Sequence, residues 1–285
     1  TGTTPRIRLI AGYLLHCRLP PGDVTVSLGR RHSRDGGVSL TMPREEYRQQ
    51  LDALRENVCD LSALVLDRLR QALGALDGGD AALARKVVEG DAEINRRYLD
   101  LERDCIDLLA LQQPVAGDLR FIAASFKIIT DLERIADLAA NLAGYALDLD
   151  RETYPDVDLQ RVGALTVEMV EDAMAAYAED DVAACRAIAD RDDEVDARCE
   201  RASQRIVRDL LEREFDAGDT DDLLGDVSAF LLTIRDLERV GDHAVNVAAR
   251  TLYSVENDDE LIYCTPTDDS YYAMTTNGTN EPIER

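Results

Sequence analysis

The chain has 285 residues, enough to bury a substantial core in one or two domains of ordinary size. Apolar residues make up 45%, yet Trp is absent and aromatics are only 5%, a composition that favours helices packed through Leu, Ile, Val and Ala over sheets. A formal charge of −25 lacks the basic footprint of a nucleic-acid binder and repels anionic membranes.

Residues 1–41 differ in character from the rest of the chain. They are basic, with six Arg against two Asp, and rich in Gly and Pro, as in Pro20-Pro21-Gly22 and Gly36-Gly37. No helical period runs through them, and Met42 is succeeded at once by the helix-start pattern Pro43-Arg44-Glu45-Glu46. Met42 is therefore expected to be the working start, with residues 1–41 a disordered or non-native extension. Beyond it, breaks at Asp77-Gly78-Gly79-Asp80, Gln113-Pro114, Tyr154-Pro155-Asp156, Glu179-Asp180-Asp181 and Ala217-Gly218-Asp219 delimit six helices. They are expected near residues 44–77, 80–112, 115–149, 157–178, 181–215 and 219–254. Within them apolar residues recur at spacings of three and four, as in Ile94, Tyr98, Leu101, Cys105, Leu108 and in Ile188, Val195, Cys199, Ile206. Residues 265–285 carry no such period and are expected to be disordered.

An internal repeat dominates the helical region. Asp131-Leu-Glu-Arg-Ile-Ala-Asp-Leu-Ala-Ala-Asn-Leu-Ala143 returns 105 residues later as Asp236-Leu-Glu-Arg-Val-Gly-Asp-His-Ala-Val-Asn-Val-Ala248, identical at eight of thirteen positions. A weaker echo relates Asp91-Ala-Glu-Ile-Asn95 to Asp192-Asp-Glu-Val-Asp196, with Asp80 answering Asp181. A period near 100 residues is too long for a solenoid and implies duplication of a whole three-helix unit. The expected fold is all-α: two tandem, pseudo-symmetric three-helix bundles of long helices, covering residues 42–150 and 155–256.

Each copy carries Glu-x-x-x-Asp, as Glu133 with Asp137 and Glu238 with Asp242. On a helix, i and i+4 share a face at about 6 Å, close enough for two carboxylates to hold one cation. With 57 acids in 285 residues, roughly eleven such pairs arise by chance, most on solvated faces. Two features set these apart. They recur in register, with Asn141 and Asn246 a turn further on, and their helix is apolar nearly all round. What remains is a narrow strip of Thr130, Glu133, Arg134, Asp137 and Asn141. Like charges at i,i+4 repel and call for compensation. Arg134 and Arg239 supply one form of it, a structural ion-pair network. A bound metal supplies the other, with Asp91/Asn95 and Asp192/Asp196 of the preceding helix completing the ligand sets. All-oxygen ligands favour hard cations such as Mg, Mn or Ca, or iron in a carboxylate cluster.

The duplicated Asp-Leu-Glu-Arg-Ile/Val-Ala/Gly-Asp-x-Ala-x-Asn motif, with Gln113-Pro-Val-Ala-Gly-Asp-Leu-Arg120 before its first copy, resembles the signature of PhoU proteins. The resemblance spans about residues 44–254. It implies two similar bundles side by side and metal ions or a multinuclear cluster (Fe, Mn, Zn or Mg) on the paired acids. It also implies a non-enzymatic role damping phosphate import, with phosphate ABC transporter subunits and a phosphate-sensing kinase as partners and a homodimer as the working form. The sequence departs from the family in having Asn95 where the second copy has Asp196, and in residues 1–41.

A di-iron carboxylate enzyme would need Glu-x-x-His on two helices. Of three His only His243 lies in the helical region, at the position of Leu138, and it is expected to be a surface or packing residue. No Ser or Cys elbow and no Gly-rich phosphate loop is present. A metal-free helical adaptor is the other reading. The six Cys are scattered without a CxxC, and Cys105 and Cys199 fall at core positions, as in a reducing cytoplasm. No apolar run nears the roughly 20 residues of a membrane span. Removing residues 1–41 leaves 26 basic against 55 acidic side chains. Such a surface suits high salt, where self-repulsion is screened, as in a halophile; the preference for Arg over Lys also fits a GC-rich genome.

Overall fold

Helix boundaries follow local chemistry. The structure, a computed structural model, describes residues 44–147, 157–212 and 220–263, so the expectations for residues 1–41 and 265–285 lie outside the described residues. Seven helices run in order: α1 (Arg44–Gly78), α2 (Ala81–Glu89), α3 (Asp91–Gln112), α4 (Ala116–Tyr145), α5 (Leu159–Glu179), α6 (Val182–Glu212) and α7 (Thr220–Glu256), before a 3₁₀ turn at Glu260–Tyr263. Among the described residues there is no strand, and no helix is long and apolar enough to cross a membrane. The carboxylate of Asp80 accepts from the Ala82 and Leu83 amides and caps α2, and Asp181 accepts from Ala183 and Ala184 at the start of α6. The repeated Asp80/Asp181 pair is thus a shared N-cap, satisfying amides that a helix start leaves without partners.

The second expected helix differs from expectation by breaking at Gly90 into α2 and α3. Glycine is a poor helix former, and the nearly buried Arg68 of α1 donates from Nη2 to the Val87 carbonyl at 2.6 Å. The same carbonyl accepts from the Gly90 amide at 3.3 Å, which closes α2 with a tight turn. The corresponding position in the second copy is Arg191, and α6 runs through it unbroken.

Two tandem, pseudo-symmetric bundles result. Helix α4 packs on α1, α2 and α3, while α7 packs on α5 and α6. Equivalent motif positions Leu132 and Leu237, Ile135 and Val240, Leu142 and Val247 are all 0% exposed. Burying each such side chain stabilises the fold by about 1.5–3 kcal/mol. The motif helices α4 and α7 pack directly against each other across the copies. They are antiparallel: Arg120 Nε donates to the Ser254 carbonyl at 3.4 Å, Asp131 meets His243 at 2.9 Å, and the Tyr145 hydroxyl donates to Asp236 at 3.0 Å. A second seam joins α1 to α5. There Arg55 reaches the Asp180 carboxylate at 2.9 Å and stacks over Phe121 at 4.7 Å, while Ser125 and the buried Tyr177 share a 2.7 Å hydrogen bond.

Candidate functional site

The second copy brings four of the expected site residues together. Asp192 and Asp196 lie one turn apart on α6, and Glu238 and Asp242 one turn apart on α7, which packs against it. Their mutual repulsion is visible in how tightly they hold protons. The Asp192 carboxyl is pushed up to about 7, first by burial and then by Asp196, Asp242, Asp193 and Glu238. Burial raises Asp196 and Glu238 as well, reinforced by Asp193 in the first case and by Asp196 and Asp242 in the second. Beneath them the buried Cys199 thiol, which donates to the Ile234 carbonyl at 3.8 Å, is driven up to about 12 by burial and by the same four acids.

Asp192 Oδ1 is buried and has no hydrogen-bond partner. An orphaned carboxylate oxygen is costly in a folded protein unless a proton or a cation satisfies it. By donor type these are the all-oxygen groups a hard cation takes, and the unmet oxygen of Asp192 is open to a proton or a cation. As they stand, no three His, Cys, Asp or Glu side chains among the described residues converge tightly enough to hold an ion.

The first copy is arranged otherwise. Arg134 lies 3.6 Å from both Glu133 and Asp137, the internal compensation that one reading of the motif requires. Asn95 on α3 is half-buried, one turn from the helix start at Asp91, whose side chain lies outside the described residues. An amide in place of Asp196 removes one charge from this set, and the Arg134 guanidinium already lies in its field.

Three polar contacts between the copies go beyond the expectations from sequence. His243 is a packing residue between the copies: its Nδ1 contacts Asp131 Oδ1, and Asn246 Nδ2 donates to the same oxygen at 3.4 Å. On the other side of the pseudo-symmetry Asp236, 0% exposed, accepts from Tyr145 and pairs with Arg235 at 2.9 Å. The repeated Asp that heads each motif thus fastens one copy to the other, and in the second copy Glu238 and Asp242 are left beside the acids of the preceding helix. Only the repetition of that Asp, outside the acid pair, hints at this in the sequence.

Fold and site together define a duplicated helical-bundle protein with four carboxylates gathered in its second half. The PhoU domain model matches residues 58–146 and 159–251. The chain is 32% identical over 216 residues to the phosphate-specific transport system accessory protein PhoU of Edwardsiella tarda, covering 75% of this chain and 86% of that protein. It is equally 32% identical to a PhoU homologue of Methanothermobacter thermautotrophicus, covering 75% of this chain and 95% of that protein. Among solved structures, PhoU from Pseudomonas aeruginosa superposes with a TM-score of 0.68 at 30% identity, over 74% of this chain and all of that one. PhoU from Streptococcus pneumoniae gives the same TM-score at 27% identity, over 74% of this chain and 98% of that one. The chain belongs to the PhoU family.

Proposed function

We propose that this protein regulates phosphate uptake and phosphate homeostasis through contacts with phosphate ABC transporter subunits and a phosphate-sensing kinase, with no catalytic step of its own. The observation that carries the reading is the match of both copies to the PhoU domain, together with relatives named as accessory proteins of the phosphate-specific transport system. It acts in the cytoplasm as a homodimer. The acidic surface is suited to a salt-rich interior.

Metal binding belongs to the same proposal. Asp192, Asp196, Glu238 and Asp242 would hold a cation in the second copy, and Glu133 and Asp137 with Asp91 and Asn95 a weaker one in the first. Bound there, Fe, Mn, Zn or Mg supplies positive charge that offsets carboxylate repulsion. The residues themselves fix α6 against α7 and set the surface offered to a partner. Arg134 favours a second reading for the first copy alone, a metal-free adaptor face.

Uptake of radiolabelled phosphate in source cells lacking the gene tests the role. Restoring the wild-type chain should lower uptake at high external phosphate, and a Glu133→Gln/Glu238→Gln chain should restore it less well. Uptake that is indifferent to the wild-type chain refutes the regulatory role. Metal content of purified protein tests the cation: a preparation free of Fe, Mn, Zn and Mg that gains no thermal stability from any of them refutes that part.

A further inference from the structure

On one outward helix face the two copies carry opposite charges. The register that pairs Asp91 with Asp192 sets α3 against α6, matching Ile94 to Val195 and Cys105 to Ile206. All four of these are buried, so the outward faces of the two helices correspond as well. On α3 that face carries Asp100, Asp104 and Asp107. At the equivalent places α6 carries Arg201, Arg205 and Arg208. Spacings of four and three put each trio along one stripe of its helix, and all six side chains are exposed. Neither bundle's core asks for this inversion. Beside the stripes stand Ile106 and Val207, again at equivalent positions and 50% and 45% exposed.

Like charges at such spacing repel. The Asp104 carboxyl is held above its usual range, first by partial desolvation and then by Asp100 and Asp107. Relief within the chain is slight. Asp100 pairs with Arg103 at 2.8 Å and Arg205 with Asp209 at 3.2 Å, exposed pairs of a kind that contributes little. Asp104, Asp107, Arg201 and Arg208 form no ion pair among the described residues. Nor do the stripes meet within one chain: α3 packs on α1, α2 and α4, and α6 on α5 and α7. We propose that two copies of this protein associate by laying the α3 stripe of one, Asp100, Asp104 and Asp107, along the α6 stripe of the other, Arg201, Arg205 and Arg208. A chain of charge −25 repels its own copy, so self-association needs a place where opposite charges meet. These stripes supply one, and they also reject the wrong pairings, since α3 on α3 or α6 on α6 would oppose like charges. The inference rests on the homodimer reading above and adds which faces pair.

Sedimentation velocity of the purified full chain over a range of concentrations tests this. Asp104→Arg/Asp107→Arg, whose two stripes are both basic, should associate about tenfold or more weakly than wild type. The same loss is expected of Arg205→Asp/Arg208→Asp, whose stripes are both acidic. An equimolar mixture of the two variants decides, because each stripe there finds its opposite again. Association should return to near the wild-type level, which two misfolded chains could not achieve. A mixture that stays as weak as its components overturns the pairing. Should either reversal lose its helical circular dichroism, Asp104→Asn/Asp107→Asn and Arg205→Gln/Arg208→Gln replace them. Weaker association in both then supports the pairing, and wild-type association in either overturns it. Reversal variants that associate as well as wild type do so through another face, which sinks this inference and leaves the homodimer reading standing. A wild-type chain that stays monomeric at every concentration removes both.

Discussion

In the first copy, Glu133 and Asp137 share a guanidinium 3.6 Å away, and the helix facing them begins anew after Gly90. In the second, Asp192, Asp196, Glu238 and Asp242 crowd together between two unbroken helices, and one carboxylate oxygen is left without a partner. The scaffold beneath is nearly the same, since the motif's apolar positions are buried alike in both copies. Duplication therefore conserved what packs and let diverge what faces the seam. Apolar packing tolerates few changes at a buried site, whereas a polar strip can exchange a proton, an arginine or a cation for one another.

That contrast between the copies can be broken at several points. The largest effects should come from the shared scaffold. Leu132→Ala and Leu237→Ala should each cost about 2–5 kcal/mol in urea unfolding, because both delete a fully buried side chain at equivalent positions. A loss of under about 1 kcal/mol in one and not the other would show that the scaffold is not symmetric after all. Next in size, Asp192→Asn should stabilise the metal-free protein at pH 8 by about 1–2 kcal/mol, since it removes a buried charge that lacks a partner. Destabilisation in EDTA would mean that the carboxylate is satisfied in solution and the asymmetry is overstated.

The pH dependence ranks third in size. Folding raises Asp192 from the usual carboxylate range to about 7, so the folded state binds the extra proton between about pH 4 and pH 7. Its contribution to stability is then full below about pH 4, falls as pH rises towards 7, and is constant above. In the metal-free protein, Asp192→Asn should flatten the stability profile across that window. Equal slopes for the two proteins from pH 5 to 7 would remove Asp192 as the titrating group. Arg134→Ala should have the smallest effect on folding, under about 1 kcal/mol, because the guanidinium is more than half exposed. Its informative readout is the Mn²⁺ affinity of the first-copy acids, which the metal reading proposed above expects to rise once the competing guanidinium is gone. No change there would mean that Arg134 does not hold the first seam closed.

Much of the architecture is legible in the sequence because it depends on local and periodic features. The spacing of Ile188, Val195, Cys199 and Ile206 marks the inner face of α6, and all four are buried. The repeat pairs Asp80 with Asp181, and both turn out to cap helices. The break at Gly90 escapes a reading by periodicity because it involves a side chain from another helix, Arg68, which donates to the Val87 carbonyl beside the Gly90 amide. The link from His243 to Asp131 escapes it for a similar reason: it joins residues 112 apart in the chain. Gly241 stands in plain view within the motif, but its difference from Ala136 means nothing until Asp192 is placed beside it.

By itself the sequence determined that this protein is helical, doubled, and acidic along one strip of each motif helix. Those properties come from hydrophobic period and helix-breaking residues, which act within one or two turns of chain, and from internal repetition, which is read directly off the sequence. Tertiary structure alone decided that α4 and α7 pack antiparallel, that the leading Asp of each motif binds across the copies, and that Arg134 stands beside Glu133 and Asp137 while Asp192 is pressed among like charges. Those outcomes depend on distances between helices, as where Gly241 leaves the α7 backbone open to the Asp192 carboxylate.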